Sequence, residues 1–320
     1  MERRELGRSG VAVTRFALGC APLAGLYEPV QEAQARGAVD AAWEAGVRYF
    51  DTAPHYGAGV SERRLGAALG ERPRGQFVLS TKVGKMLVPG APGAREFAGE
   101  PPLGRVFDFG RDAVLRSLEE SLVRLGLDRV DIVLVHDPDD HMDQAIGQAL
   151  PALAALRDAR AVGAIGAGMN GGEPLARIVR EADVDCVLVA GRHTLLDQSA
   201  TDDLLPLCAD RGVAVIAAGV FNGGVLTDPR PGAYYDYAPV PPETLARARR
   251  IAAVCARHDV PLPAAAMAFA RRHPAVACVL VGARSAGEVR ADVADWERAV
   301  PGELWDELVA EGLLPEAALA

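Results

Sequence analysis

The sequence is nearly without lysine. Of its 34 basic residues only Lys82 and Lys85 are lysines, and the other 32 are arginines. Arginine was acceptable almost everywhere, so a lysine kept in that background is a candidate for work that a compact, titratable ammonium can do and a planar guanidinium cannot. Positive charge is short overall: 34 cationic against 43 anionic side chains give a net charge of -9. That balance leaves no basic face for nucleic acid or an anionic membrane surface. Long hydrophobic runs are missing too. The most apolar stretches, residues 213–221 and 262–270, are about half the length a spanning helix requires. The arginine-studded start has no signal-peptide core, and a cytoplasmic protein is expected. The five cysteines, Cys20, Cys186, Cys208, Cys255 and Cys278, contain no Cys-x-x-Cys spacing. An odd, dispersed set does not build a disulfide framework, so they are expected to be reduced and buried.

What is present is ordinary globular material, 50% hydrophobic and 24% charged over 320 residues, enough for a substantial core. Short β-branched runs alternate with amphipathic stretches from end to end, with no linker-like shift in composition, so one domain over residues 1–320 is expected. Candidate strands cover residues 16–19, 48–50, 77–81, 131–135, 164–167, 186–189, 214–217 and 278–281. Helical patterns cover 31–45, 61–69, 112–125, 145–159, 174–181, 200–211, 243–257 and 285–293. Eight strand-helix units predict an α/β fold of the (β/α)8 type, a TIM barrel, in preference to a doubly wound sheet. Residues 4–6 and 11–14, around Arg8, Ser9 and Gly10, predict an N-terminal β-hairpin.

Two connections, 84–110 after the third strand and 218–241 after the seventh, are too long to be turns, and such loops are usually functional. They carry Phe97, Phe107, Phe109, Phe221, Tyr234, Tyr235 and Tyr237, seven of only 17 aromatic residues. In a barrel both follow strands and rise on the carboxyl face, where active sites are built. Either they wall a pocket for a flat or ring-shaped ligand, or they fold into local cores.

Four polar residues fall at or just beyond the ends of three consecutive strands: Asp51 and Tyr56 in GVRYFDTAPHYG (46–57), Lys82 in STKVG (80–84), and His136. A strand-end Asp is commonly a turn cap, and a lone Tyr or His is more often structural. Four complementary types converging on one barrel mouth are harder to dismiss. These segments, together with SERRLG (61–66) and VGARS (281–285), resemble the aldo-keto reductase superfamily over nearly the whole chain. Within it, HDPDD (136–140), GMN (168–170) and TLLDQS (194–199) are most similar to the branch of L-fucose and D-threo-aldose 1-dehydrogenases. Pyridoxal dehydrogenases look similar.

The resemblance implies a catalytic tetrad of Tyr56, Lys82, Asp51 and His136. Its logic is independent of the family. A phenol titrates near pH 10, and a neighbouring ammonium can lower that by roughly 1 to 3 units; Lys82 is expected to do so, with Asp51 orienting it. His136 would position the substrate oxygen. No side chain accepts a hydride, so a nicotinamide cofactor is required. The resemblance places it against Asn170, Gly282, Arg284 and Ser285, with Glu288 and Asp292 near the adenosine ribose. Three features depart from the family pattern. Met169 stands where many relatives have Ser, Ala218 where many stack a Tyr, and Glu288 and Asp292 make the ribose end more negative than a 2′-phosphate prefers. NAD is therefore expected over NADP, with Arg284 as the contrary signal. The expected partner is a small carbonyl or sugar substrate, an aldose oxidised at C1 to the lactone. Pyridoxal or a general aldehyde or ketone is the alternative, and a cofactor-sensing subunit without turnover a further one.

Two other readings compete. Residues 166–171 form a G-x-G-x-x-G between a strand and a helix, but the acidic residue a dinucleotide fold needs does not close the next strand. The glycines are better read as a tight strand-to-helix turn leading to Asn170. The segment from His136 to His141 holds metal-type ligands, as in a metal-dependent barrel hydrolase, yet lacks partner histidines on other strand ends. No metal is expected.

Overall fold

A computed structural model describes residues 1–319 other than 92, 94 and 95. Those three positions belong to the long connection 84–110, and residue 320 ends the expected domain; all four lie outside the described residues. Fourteen strands form: β1 (Arg3–Glu5), β2 (Ala12–Thr14), β3 (Phe16–Gly19), β4 (Tyr49–Asp51), β5 (Val78–Val83), β6 (Lys85–Pro89), β7 (Leu103–Phe107), β8 (Ile132–His136), β9 (Ala164–Met169), β10 (Cys186–Ala190), β11 (Ala214–Ala218), β12 (Tyr234–Tyr235), β13 (Ala238–Pro239) and β14 (Val276–Gly282). Eight of them, β3, β4, β5, β8, β9, β10, β11 and β14, pair in parallel in that order and close into a barrel, with β14 back against β3. This is the expected (β/α)8 barrel, and each of the eight sequence runs overlaps its strand.

Alternation along the strands explains the layering. Inward-pointing Ala17, Tyr49, Ile132, Leu134, Ala164, Cys186, Ile216 and Cys278 fill the barrel, while Phe16, Leu18, Phe50, Leu79, Val133 and Val187 face the helical shell. Gly166 is needed where β9 meets β10, because a Cβ there would sit 1.8 Å from the Cys186 carbonyl oxygen. That corrects the turn reading: Gly166 and Gly168 lie inside β9, and only Gly171, the cap of helix Gly172–Glu181, belongs to the turn. At the amino end β1 and β2 form the expected hairpin, and Val13 of β2 and the adjoining Leu6 are fully buried against the interior. All five cysteines are buried and free.

The helical expectations hold with shifts that have local causes. Residues 145–149 form a π-turn ahead of helix Leu150–Asp158, since Pro151 has no N–H to give to the preceding turn. Helix Leu204–Arg211 starts later than expected. Helices Leu262–Ala270 and Gly302–Ala310 were not anticipated. The first is buried along most of its length, so it shows no amphipathic period to read. Both long connections rise on the carboxyl face, where β6 pairs antiparallel with β7 and β12 with β13. No helix is long and apolar enough to cross a membrane among the described residues.

Candidate active site

The strand register forms a staircase. Asp51 lies beside Ser80, Lys82 two residues further along β5 beside Leu134, and His136 two residues further along β8 beside Gly168. Residues two apart share a face, so Asp51, Lys82 and His136 point inward and climb toward the carboxyl mouth. Tyr56 arrives separately, on a turn that Gly57 makes possible. Gly57 has φ 59°, and a Cβ there would meet that of Ala24 at 2.7 Å. Ala58 and Gly59 also have positive φ, and the turn swings Tyr56 back over β5.

The four expected catalytic residues meet. Lys82 is 1% exposed, and all three of its ammonium hydrogens are used: it donates to Asp51 Oδ2 at 2.5 Å, to Tyr56 Oη at 3.0 Å and to the Thr52 carbonyl at 3.1 Å. Ser80 donates to the other Asp51 oxygen at 2.7 Å and lies 3.1 Å from the Tyr49 hydroxyl. A buried ion pair this fully hydrogen-bonded is rigid, and removing either partner would strand a charge in the barrel. The Tyr56 and His136 rings are 5.7 Å apart and nearly perpendicular. Because Tyr56 accepts from Lys82, its own hydrogen is free for a ligand in the mouth.

The electrostatics differ from the expectation in one respect. Burial, followed by the carboxylate of Asp51, pushes the Tyr56 phenol well above its ordinary range; the Asp51 charge offsets the Lys82 ammonium that was expected to lower it. The phenol is thus neutral. Burial, reinforced by Lys85 and Lys82, also pushes His136 well below the usual imidazole range, so the ring is neutral.

A cleft of about 880 Å³ runs from these residues across the barrel mouth. Asn170, Gly282, Arg284, Glu288 and Asp292 line it, as do Met169 and Ala218. Ser285 does not. Its Oγ accepts the Glu288 N–H at 3.2 Å and caps helix Ala286–Trp296. Arg284 is held by two carboxylates, Glu288 at 2.9 Å and Glu28 at 2.6 Å. Of the seven loop aromatics, Phe97, Phe107, Phe221 and Tyr237 line the cleft. Phe109 is buried against Gly84, and Tyr234 stacks on Tyr27 at 4.1 Å. Thus both functions expected of the loops, wall and local core, are realised.

Other lining residues carried no sequence signal as site residues. Asn222, at φ 46°, is buried with its Oδ1 unpartnered among the described residues. Asp137, at φ 44°, reaches Lys85. His55 is pinned between Glu96 at 3.2 Å and Arg105 at 3.2 Å. Left-handed backbone at a non-glycine residue marks Asn222 and Asp137, but only coordinates reveal it. Lys85 itself was visible as one of the two lysines. His141 packs near the rings of Phe107 and Phe109, with centroids 6.2 and 5.5 Å away. Among the described residues no group of three His, Cys, Asp or Glu converges as a metal site.

An inward staircase of polar residues at the carboxyl face of a closed parallel barrel is the layout of a (β/α)8-barrel enzyme. The family model for the aldo/keto reductases matches residues 15–310. The chain belongs to the aldo/keto reductase family, and is an NAD(P)-dependent oxidoreductase. It is 41% identical to the D-threo-aldose 1-dehydrogenase of Pseudomonas sp over 317 residues, covering 96% of each chain. It is also 41% identical to the pyridoxal 4-dehydrogenase of Microbacterium luteolum over 337 residues, covering 98% of each. The L-galactose dehydrogenase of Arabidopsis thaliana is 30% identical, over 92% of this chain and 88% of that one. A solved aldo-keto reductase from Bacillus halodurans superposes with a TM-score of 0.76 at 23% identity over the whole of both chains, a likeness of fold.

Proposed function

We propose that the protein, one barrel domain over residues 1–320 working in the cytoplasm, oxidises a free aldose at C1 of its cyclic form to the lactone. Tyr56, Lys82, Asp51 and His136 are its catalytic residues. The observation that carries this reading is Lys82, buried at the mouth with its three donors divided among Asp51, Tyr56 and Thr52.

Residues of the cleft fit a nicotinamide dinucleotide. The orphaned, buried Oδ1 of Asn222 calls for a donor from a ligand, Asn170 lines the same cleft, and the first turn of helix Ala286–Trp296 offers backbone N–H groups for phosphate. Asn170, Gly282, Arg284, Ser285, Glu288 and Asp292 form this cradle, Ser285 by capping the helix. NAD is the preferred form. Arg284, the cation a 2′-phosphate would need, is already held by Glu28 and Glu288, and Asp292 and Asp295 line the same end.

The cofactor, when bound, takes up or gives hydride at its nicotinamide ring. The chain's residues handle the proton. In reduction Tyr56 gives its hydrogen to the substrate oxygen, and Lys82 stabilises the phenolate left behind. His136, neutral, donates from Nε2 to hold that oxygen. In oxidation the same phenol must lose its proton first, against the effect of burial and Asp51, so turnover in that direction should quicken with rising pH.

Aromatic walls at Phe97, Phe107, Phe221 and Tyr237 suit the CH face of a sugar ring. They also suit a pyridine ring, and the equal identity to a pyridoxal 4-dehydrogenase keeps pyridoxal as the second reading. A spectrophotometric screen at mildly alkaline pH, with NAD or NADP against free sugars, pyridoxal and simple alcohols, separates them. Turnover of a free 6-deoxy or pentose sugar, lost in its methyl glycoside, supports the aldose. Turnover of pyridoxal or an open-chain aldehyde alone refutes it. Nucleotide binding with no turnover on any substrate points to a sensing subunit.

A further inference from the structure

The two lysines of this chain stand at the same mouth, and they differ in how their hydrogens are used. Lys82 donates to three protein groups. Lys85, on the first residue of β6 and 6% exposed, donates among the described residues only to Asp137 Oδ2, at 2.6 Å. An ammonium has three donors, and those of a buried one find partners, so Lys85 keeps two for something that enters the cleft it lines. Its head lies 5.5 Å from the centre of the Phe107 ring, and both residues line the cleft.

Asp137 is held with equal care. It follows His136 with φ 44°, a backbone conformation that costs energy in any residue but glycine and is tolerated best by Asn and Asp. Its N–H donates to the Gly168 carbonyl at 3.0 Å. The turn brings its carboxylate within 3.5 Å of His136 Nε2, the atom assigned above to hold the substrate oxygen. A donor-acceptor pair therefore stands beside the imidazole that would hold the substrate oxygen.

We infer that Lys85 and Asp137 form a subsite for the hydroxyl on the carbon next to the reacting one, the 2-hydroxyl of an aldose, with Lys85 donating to it and Asp137 accepting from it. Neighbouring hydroxyl oxygens on a sugar ring lie about one hydrogen-bond length apart, which matches the step from His136 Nε2 to Asp137. The ring oxygen on the other side of C1 has no hydrogen to give and satisfies only Lys85. This subsite rests on the aldose reading, and it makes the 2-hydroxyl, not the anomeric hydroxyl alone, the feature that this enzyme selects.

The test compares an aldose with its 2-deoxy analogue in the wild type, Lys85→Met and Asp137→Asn. Methionine keeps the stem packed, and asparagine tolerates the left-handed turn, so both variants should fold. Hydrogen bonds to charged groups are worth a factor of about 10 to 100 in kcat/KM. The wild type should prefer the parent sugar by at least that factor, and each variant, losing one of the two bonds, should narrow the preference by about tenfold. Intrinsic differences in reactivity between the two sugars cancel between enzymes. If the variants slow both sugars equally, the pair acts through His136 and the subsite is refuted. A wild type that oxidises both sugars alike overturns the subsite but not the aldose reading. A wild type that oxidises no free sugar overturns both.

Discussion

Asp292 offers a test of the electrostatics that needs no substrate. Its carboxyl sits in helix Ala286–Trp296, and burial, with the charges of Glu288 and Asp295, pushes it from its ordinary 3.8 up to about 7. A folded carboxyl that holds its proton longer than the unfolded one penalises folding as pH rises. The penalty is absent below about pH 4 and complete above about pH 7. A shift of about three units corresponds to about 4 kcal/mol at alkaline pH, of which roughly two-thirds develops between pH 5 and 8.5. Because Asp292 is only partly buried, solvent screening reduces that increment to about 1 to 2 kcal/mol. Asp292→Asn removes the penalty. It should therefore stabilise the protein more at pH 8.5 than at pH 5, a difference in Tm of about 1.5 to 3 °C for a chain of this length. Thermal unfolding of both proteins without nucleotide, followed by circular dichroism across that range, reads it directly. A Tm difference that is flat with pH, or larger in acid, would falsify the raised carboxyl and the acidic character assigned to that end of the cleft.

Tyr56→Phe should lower turnover by about 10² to 10⁴ with nucleotide affinity nearly unchanged in a fluorescence titration; a variant retaining a tenth of wild-type turnover, with chemistry limiting, removes Tyr56 from proton transfer. Lys82→Arg should fail despite keeping the charge, because a planar fork cannot reach Asp51, Tyr56 and the Thr52 carbonyl from one buried point; an active variant defeats that geometry. Glu288→Arg removes one carboxylate from Arg284 and adds a cation, so the ratio of NADP to NAD affinity should rise by about 1 to 2 kcal/mol, roughly tenfold. Unchanged dissociation constants for both nucleotides would place Glu288 away from the ribose.

The sequence by itself determined the barrel. Each strand is a short apolar run buried on both faces, bounded by turns, and eight such runs alternating with helices admit few arrangements. The residues Asp51, Tyr56, Lys82 and His136 were legible for the same reason: each falls at a strand end or in the turn that follows, and all strand ends of a parallel barrel share one face. Motif residues beyond them proved to have structural work. Glu62 of the SERRLG segment is fully buried between Thr81, at 2.8 Å, and Arg124. Gly66 lies where a Cβ would meet the Leu125 carbonyl oxygen at 2.0 Å.

Tertiary structure alone decided the sign of the electrostatics and the far contacts. Sequence places Lys82 near Tyr56, but whether the phenol's pKa falls or rises depends on burial and on which side of the ammonium Asp51 lies. Arg284, the contrary signal for NADP, is held by Glu28, 256 positions away in the sequence. Asp137 and Asn222 acquire their importance from left-handed backbone after strands, and Tyr27 from a stack on Tyr234 that joins two loops. Periodicity records which face a residue presents to its own element; it carries no record of which distant charge or ring closes over that face, because those contacts form only when the loops rising from different strands meet above the barrel.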